Sequence, residues 1–407
     1  MSRTARQPRV LVTDAGLGSA IAVIRSLGRR GFHVIAADAD ARSPGFYSRY
    51  AAERLRYPSP RVAPEAALET LLSAARDRSV DLLVPVTDEI LLPVAGARER
   101  FAGICALAIP EPDALRAVAD KLATLELAAE LGVPTPRTVA VATGAEAEEK
   151  AGRLGSPLVL KPLSSRSYEA GSIEAFEVAY SAGPEELAHR IAPFEGRCQV
   201  LLQEYVRGEG HGVEMLLDRG RPLAAFQHRR LREVPVTGGA SSFRESVPLD
   251  PVLYDYSRRL LSALRWTGLA MVEFRVGAAG PRLMEINGRI WGSLPLAVKS
   301  GVDFPARMAD LYLGREQNGE VTAPTYATGV RSRNLPLEAI WIGSVLRGRK
   351  RYAFLPTPPR RDAVAAAVRL VDPRDGYDVL SLADPRPGVV ELGKLVRKLA
   401  LKISRGR

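Results

Sequence analysis

Short apolar runs alternate with segments of helical periodicity along the first hundred residues. Strand-like runs occupy 9–13, 32–37, 81–85 and 104–109, and helical spacing occurs up to about residue 30 and across 65–78. A strand, a helix and a further strand form the unit of a parallel sheet that helices cover. The pattern therefore predicts an α/β domain at the N-terminal end.

A glycine-rich turn follows the first strand. Gly16 and Gly18, with Asp38 after the second strand, invite comparison with dinucleotide-binding sites, but Ile21 stands where the third glycine of that fingerprint belongs. We therefore interpret the glycines as the first turn of an α/β layer, rather than as a site for a nicotinamide or flavin cofactor.

The middle of the chain predicts a second unit with longer strands. A helix from Asp120 ends at Gly132, and the stiff sequence 132–136 indicates a domain boundary. Further strand-like runs lie at 138–142, 156–161, 198–204, 213–217, 223–228 and 268–276. Two polar, small-residue stretches, 162–172 and 237–242, are either loops that wrap anionic oxygens or plain surface loops.

The stretch 268–289 has the pattern of a hairpin with a tight turn at its centre. If the two strands are symmetric about the central alanine, Glu273 faces Glu285 across the ribbon. Like charges in this arrangement destabilise the pair, so a positive group should lie between them. Period-two alternation adds Asn287 and Arg289 to the same face. Such a face suits either a divalent metal with phosphate or an ordinary solvated edge.

Charge is concentrated towards the C-terminal end of the chain. The net charge is +11, and residues 331–407 hold 17 lysines and arginines against 7 aspartates and glutamates. The remainder is almost neutral, which argues against nucleic-acid binding by the protein as a whole. The two cysteines, Cys105 and Cys198, lie far apart and offer no disulfide or zinc framework, which indicates a reducing compartment. We find no secretory leader and no apolar run of membrane length, so we expect a cytoplasmic protein.

Five short motifs then occur in an order that points to one family. They are Asp120-Lys121, Val159-Leu160-Lys161-Pro162, Leu202-Gln203-Glu204-Tyr205-Val206, Val272-Glu273-Phe274 and Met284-Glu285-Ile286-Asn287-Gly288-Arg289. With these motifs in this order, the chain resembles the ATP-grasp superfamily, in the branch with carboxylate–amine ligases and carbamoyl-phosphate-synthetase-like enzymes. The resemblance covers residues 10–315.

The resemblance implies a fold class. It predicts an α/β N-terminal Rossmann-like (pre-ATP-grasp) domain, then a two-part α+β ATP-grasp domain, with a basic C-terminal appendage. We assign the first to 1–112, the ATP-grasp domain to 113–318 with subdomains 113–203 and 204–318, and the extension to 319–407. A nucleotide is expected between the two halves of the middle domain.

The resemblance also implies which residues bind ATP. Lys121 and Lys161 would supply two cations for the triphosphate, and the loop that contains Ser164 and Ser165 would cover it. The adenine edge would be read by the hinge, which consists of Gln203, Glu204, Tyr205 and Val206.

The ribose and the metal ions have their own expected ligands. Either Glu209 or His211 would hold the ribose hydroxyls. Two Mg²⁺ (or Mn²⁺) ions would lie against the phosphates, held by Glu273, Glu285 and Asn287. Mg²⁺ prefers hard oxygen ligands and keeps waters and phosphate oxygens as the remainder, which suits a site with three protein ligands.

Two arginines complete the implied site. Arg289 matches the residue that stabilises charge on the transferred phosphoryl group, and Arg229 matches a basic position that faces the reaction centre, with Arg230 as the alternative. In the implied reaction a substrate carboxylate takes the γ-phosphoryl group to give an acyl phosphate and ADP, and an amine then displaces phosphate to form an amide. The alternatives are phosphorylation of a carboxylate or carbamate without amide formation, and non-catalytic ATP sensing. Both substrates are expected to be small molecules, no nucleic acid is expected, and a homodimer is a candidate assembly.

A basic amphipathic helix is predicted at 391–403. Its apolar stripe consists of Leu392, Leu395, Val396, Leu399 and Ile403, and its flanking cations are Lys394, Arg397, Lys398 and Lys402. The helix either docks on the protein's own core, lies on an anionic membrane surface, or contacts an acidic partner.

Overall fold

The structure is a computed structural model that describes residues 6–163, 166–169, 172–175, 178–315, 325–348 and 352–405. Its strands form a five-stranded, a four-stranded and a seven-stranded sheet, together with a two-stranded ribbon. Helices pack against these sheets, so the fold is of mixed α/β type.

The first sheet is parallel throughout, as the alternation of strands and helices predicts. Its strands are β1 (Arg9–Val12), β2 (His33–Asp38), β3 (Glu53–Arg56), β4 (Leu82–Val84) and β5 (Ala106–Leu107), in the spatial order β3-β2-β1-β4-β5. The helices of this region are α1 (Gly18–Arg29), α2 (Pro64–Asp77), α3 (Asp88–Gly96) and α4 (Arg98–Phe101). Strand β3 was not predicted, because its half-buried Glu53 and Leu55 alternate with exposed arginines and form no apolar run.

The second sheet is antiparallel and follows the predicted boundary helix. The elements of this region are α5 (Pro112–Ala119), α6 (Lys121–Glu130), β6 (Thr138–Val141), α7 (Gly144–Ala151), β7 (Leu158–Pro162), β8 (Arg166–Glu169), β9 (Ser172–Ala175), β10 (Ala179–Ser181), α8 (Leu187–Ile191) and β11 (Val200–Glu204). The order is β10-β7-β11-β6, and β8 pairs with β9 alone. Asp120 begins α6 by accepting hydrogen bonds from the backbone of Leu122 and Ala123.

The third sheet has seven strands and carries most of the candidate site. The elements are β12 (Glu209–Asp218), β13 (Arg221–Val234), β14 (Ala240–Ser246), α9 (Pro251–Ala263), β15 (Gly268–Gly277), β16 (Gly280–Asn287), α10 (Leu294–Lys299), α11 (Phe304–Tyr312), β17 (Arg331–Arg333), α12 (Leu335–Arg347), α13 (Arg360–Val368), β18 (Asp375–Tyr377) and α14 (Pro385–Arg405). The strand order is β16-β15-β12-β13-β14-β17-β18, antiparallel except for the last pair.

The C-terminal part of the chain is built into this sheet. β17 pairs with β14, and β18 pairs with β17. The described part of the extension assigned to 319–407 thus contains strands and helices, and apolar spacing did not reveal β17 because it reads Arg-Ser-Arg. Buried Arg333 is accommodated there because its guanidinium forms ion pairs with Asp375 and Glu338.

A buried ion pair joins residues near the two ends of the chain. Arg25 on α1 donates from Nε to Oδ2 of Asp384 at 2.9 Å, and the Ser48 hydroxyl donates to the same oxygen at 2.7 Å. Asp384 precedes α14, so this pair anchors the C-terminal helix on the first sheet. A shared apolar core, which includes Val10 and Trp291, also joins the first sheet to the third.

Candidate active site

The hairpin β15–β16 brings Glu273 opposite Glu285, as predicted. The turn is tighter than expected, because Gly277 pairs with Gly280 and only two residues lie between them. A bulge at Met284 then shifts the register and restores the glutamate pair. The extra residue also lets two positions of opposite parity, 283 and 286, both enter the core.

A positive group was expected at the glutamate pair, and Arg230 lies beside Glu273. Its Nη2 lies 2.5 Å from Oε1 of Glu273. Asn287 donates from Nδ2 to Oε1 of Glu273 at 3.0 Å and to Oε1 of Glu285 at 3.2 Å. The three metal-ligand candidates therefore meet on one face of the hairpin, with a guanidinium beside them.

These residues line a cavity of about 430 Å³ between the second and third sheets. Lys161 reaches it from the end of β7, and burial lowers the pKa of its ammonium group while Glu285 opposes that effect. Burial would raise the pKa of Glu285, but the charge of Lys161, the hydrogen bond from Asn287 and the charges of Arg230 and Lys121 together hold that pKa below its usual value. The cavity therefore contains Lys161 together with the carboxylate of Glu285, and this glutamate is solvent-exposed.

Lys121 approaches the same place from the start of α6. Its Nζ donates to the backbone carbonyls of Pro162 and Leu163, at 3.1 and 3.2 Å. A narrow second cavity is lined by Lys121, Lys161 and Glu285 together. The two lysines predicted to bind the triphosphate are therefore neighbours.

The predicted hinge lines the cavity with all four of its residues. The Gln203 side chain donates to Thr138 Oγ1 at 2.8 Å and is buried, so it supports β6. The Glu204 carboxylate is held by Arg137, whose Nε lies 2.7 Å from Oε2. Both side chains therefore already have protein partners.

Arg229 was expected to face the reaction centre, and this prediction is wrong. Its Nη2 lies 2.9 Å from Oε2 of Glu245, and it does not line the cavity. Side chains alternate along β13, so the neighbouring Arg230 faces the cavity and Arg229 faces the opposite side. Arg230, which the sequence analysis gave as the alternative, occupies the position at the cavity.

Neither ribose candidate lines the cavity. Glu209 and His211 flank Gly210 on β12, and Gly210 is the cavity-facing residue of the three. His211 instead contacts Gln227, with 3.2 Å between Nδ1 and Nε2. A Cβ at Gly210 would lie 2.9 Å from Cδ of Arg230, so the missing side chain leaves room for that arginine.

Arg289 lines the cavity as predicted, but it also has a partner outside the hairpin. Its Nε lies 2.9 Å from Oδ2 of Asp88, at the start of α3. The two serines of the loop predicted to cover the triphosphate, Ser164 and Ser165, lie outside the described residues.

Sequence reasoning missed several cavity residues. Arg275 lines the cavity and forms an ion pair at 2.7 Å with Glu233, which also pairs with Arg230. The C-terminal part contributes Asn334 and Leu337 to the lining. The density of charge in 229–233 indicated a polar site near this strand, whereas residues 334 and 337 gave no signal.

The donor set of the hairpin fits a hard divalent cation. In the part of the chain that the structure describes, no group of three or more His, Cys, Asp or Glu side chains could hold a metal. The hairpin offers two carboxylates and one amide oxygen, which is a partial set of hard ligands. A cation there would need phosphate oxygens or waters to complete its coordination.

Comparisons with known proteins agree with this geometry. Residues 197–335 match the family described as "ATP-grasp in the biosynthetic pathway with Ter operon". The chain is 28% identical over 227 residues to the carbamoyl phosphate synthase large chain of Thermomicrobium roseum, covering 53% of this chain and 20% of that protein. It is 32% identical over 194 residues to the formate-dependent phosphoribosylglycinamide formyltransferase of Xanthomonas oryzae pv. oryzae, covering 47% of this chain and 46% of the relative.

A solved structure shares the fold over a longer stretch. The biotin carboxylase of Campylobacter jejuni superimposes with a TM-score of 0.63 at 16% identity, covering 81% of this chain and 75% of that one. The chain spans less than half the length of the two curated relatives described above. Taken together, these matches identify a chain with the ATP-grasp fold that resembles the branch of carboxylate–amine ligases and carbamoyl phosphate synthases.

Proposed function

We propose that the protein is an ATP- and Mg²⁺-dependent, ADP-forming ligase that joins a small-molecule carboxylate to an amine through an acyl phosphate. One observation carries the proposal: the metal-ligand candidates of the hairpin share a cavity with Lys161, Arg230 and Arg289. A triphosphate and a transferring phosphoryl group need this combination of cations and hard oxygen ligands.

The chain's own residues would then divide the work. Lys121 and Lys161 neutralise the phosphates, while Tyr205 and Val206 contact the adenine. Glu273, Glu285 and Asn287 hold the cation, which when bound neutralises charge on the triphosphate and orients it for transfer. Arg289 and Arg230 stabilise the charge that develops on the phosphoryl group and on the acyl phosphate. Positioning and charge neutralisation, without a protein nucleophile, suffice for both steps.

Domain organisation belongs to the same proposal. Residues 1–112 would act as a Rossmann-like pre-ATP-grasp domain and residues 113–318 as the ATP-grasp domain. The C-terminal segment from 319 adds strands β17 and β18 beside the cavity. We propose that the reaction takes place in the cytoplasm.

The expected result for the reaction itself is ADP release that requires both a carboxylate and an amine. Pools of small carboxylates are screened with and without pools of amines, and ADP and phosphate are measured. An acid-labile product formed without any amine would favour carboxylate or carbamate phosphorylation instead. Stoichiometric ATP retention without turnover in every pool would favour a nucleotide sensor.

The C-terminal helix α14 is docked on the protein in part. Glu391 and Leu395 are half-buried, and Lys394 Nζ lies 2.5 Å from Oδ2 of Asp40. Two residues of the predicted apolar stripe remain exposed, since Leu392 and Val396 are 38% and 64% exposed. Among the described residues, no helix combines the length and the apolar composition that a bilayer crossing needs.

We propose that this stripe rests on an anionic membrane surface. The exposed cations Arg397 and Lys398 flank the stripe, with Lys402 and Arg405 following in sequence. Apolar side chains can enter the interface while these cations meet acidic headgroups. A second copy of the helix is a poor partner, because the same cations would repel each other.

The full chain is expected to sediment with phosphatidylcholine vesicles that contain phosphatidylserine, and much less with phosphatidylcholine alone. Deleting residues 391–407 should weaken this binding about tenfold or more, since each basic residue near the surface contributes about 1 kcal/mol. Val396→Glu should act in the same direction, while Val364→Glu, at an exposed valine on α13, serves as the control. Unchanged binding after the deletion would refute the proposal, and absence of binding by the full chain would point to an acidic partner.

A further inference from the structure

One wall of the cavity is built by residues that the proposed mechanism does not use. β14, the loop after the hairpin, and the start of α12 come together there. The side chains of Arg244, Trp291 and Asn334 line this part of the cavity. We call these three residues the anion wall.

Two buried donors of the anion wall lack an acceptor. Nε of Arg244 and Nε1 of Trp291 have no hydrogen-bond partner within the described residues, and both side chains are at most 1% exposed. Each of these groups can only donate a hydrogen bond. A buried donor without an acceptor is costly, so an oxygen atom from outside the chain would satisfy this wall.

Charged groups also lie behind the anion wall. Arg244 lies 2.5 Å from the Asp378 carboxylate, measured from Nη2 to Oδ1. Burial, with a smaller contribution from Arg244, lowers the pKa of Lys299 to about 8, while the charge of Asp378 opposes that shift. Because the unpartnered Nε of Arg244 belongs to a guanidinium, an anionic oxygen is the acceptor that suits it best.

Asn334 supplies a third donor because its oxygen is already engaged. It is the N-cap of α12, and Oδ1 accepts a hydrogen bond from the backbone of Leu337 at 3.1 Å. The amide group is thereby fixed with Nδ2 left to donate. The positive end of the helix dipole lies at the same residue and favours an anion.

We propose that the anion wall binds a carboxylate group of a small-molecule substrate. The inference rests on the proposed ligase function and specifies where substrate selection takes place. Two sources share this chemistry: the carboxylate that is to be phosphorylated, and a carboxylate carried by the incoming amine. In either case the C-terminal part of the chain takes part in choosing the substrate.

Binding is tested without turnover through the indole signals of the full chain. The three tryptophans give three indole N–H resonances, and the signal of Trp291 is identified from Trp291→Phe. Acetate, glycine and succinate are each titrated in, with ethylammonium as the cationic control. The Trp291 signal should move saturably with the carboxylates and not with ethylammonium. The Trp266 signal should stay in place, since its Nε1 already donates to the Leu269 carbonyl at 3.2 Å.

Asn334→Asp is the decisive variant. Aspartate caps a helix as well as asparagine does, so α12 should be retained while a donor becomes a repelling carboxylate. The apparent affinity for the carboxylate probes should fall about tenfold or more. Asp250→Asn, an exchange of the same kind at the cap of α9, should change nothing. An unmoved Trp291 signal with every carboxylate, or equal shifts in Asn334→Asp, would overturn the inference.

Turnover measurements then distinguish the two sources. Hydroxylamine replaces the amine, and the KM of the carboxylate substrate is measured for the wild type and Asn334→Asp. A raised KM in this assay assigns the anion wall to the carboxylate that is phosphorylated. A raised KM for an amine that carries a carboxylate, with an unchanged KM in the hydroxylamine assay, assigns the anion wall to the carboxylate of the amine. If the wild type releases no ADP with any substrate pair, the proposed function is refuted. The indole titration tests carboxylate binding at the anion wall independently of turnover.

Discussion

Replacing Glu285 by alanine is expected to abolish turnover while the protein stays folded. Glu285 extends into the cavity beside Lys161 and contributes nothing to the apolar core. Removing it takes away one of two carboxylates that would hold the cation, and it leaves the lysine without its counter-charge. Loss of a single preorganised electrostatic group commonly lowers kcat by about 10² to 10³, and loss of a metal ligand should reach at least the upper end of that range.

The measurement is ADP release with the active pools, together with the thermal unfolding midpoint. Glu209→Gln is the matched control, because Glu209 lies on β12 of the same sheet but outside the cavity lining. Glu285→Gln provides a second reading, since it keeps the size of the side chain and removes its charge. A Glu285→Ala enzyme with wild-type turnover would disprove the assignment of the metal ligands.

A second large effect is expected on stability, from Glu338→Gln. Glu338 is fully buried and its Oε2 lies 2.6 Å from Arg232 Nη1 and 2.7 Å from Arg333 Nη1, while Ser242 donates to Oε1 at 2.8 Å. Glutamine keeps an acceptor but leaves two guanidinium groups without their shared counter-charge. Breaking a buried ion pair from one side costs about 3 to 5 kcal/mol, so the free energy of unfolding should fall by about 3 kcal/mol.

Urea unfolding, followed by fluorescence, measures this loss. Glu148→Gln, an exposed glutamate on α7, should change the unfolding free energy by less than about 0.5 kcal/mol. Combining Glu338→Gln with Arg232→Met should recover part of the loss, because one unpaired charge is removed. A Glu338→Gln protein as stable as the wild type would show that the network between α12 and the sheet contributes little.

The sequence was sufficient to predict site residues within one hairpin, but not those that distant strands bring to the cavity. Alternation along β15 and β16 led to the correct pairing of Glu273 with Glu285, but this pairing depends on a two-residue turn and on a bulge that restores the register of the symmetric hairpin. The bulge at Met284 could not be predicted, because the core contacts of Leu283 and Ile286 that require it come from other elements.

The arginines of β13 illustrate a second limit. Four of the residues 229–233 are charged, so composition could not tell which parity faces the cavity. The pairing of β13 with β12, which itself pairs with β15, decides it and puts Arg230 beside Glu273. Asn334 and Leu337 were beyond reach for another reason: a three-residue strand of polar composition carries them to the cavity, and its partner strand lies far away in sequence.

The ion pair between Arg25 and Asp384 has a consequence for biosynthesis. The two residues are separated by 359 positions, so α1 leaves the ribosome long before its buried counter-ion exists. At about 5 to 20 residues per second, the delay is roughly 20 to 70 s. During that time the guanidinium must stay hydrated, which keeps this side of the nascent first layer open. Closure of that layer therefore waits until residue 384 has left the ribosome, and the emerging chain offers chaperones a defined interval in which to act.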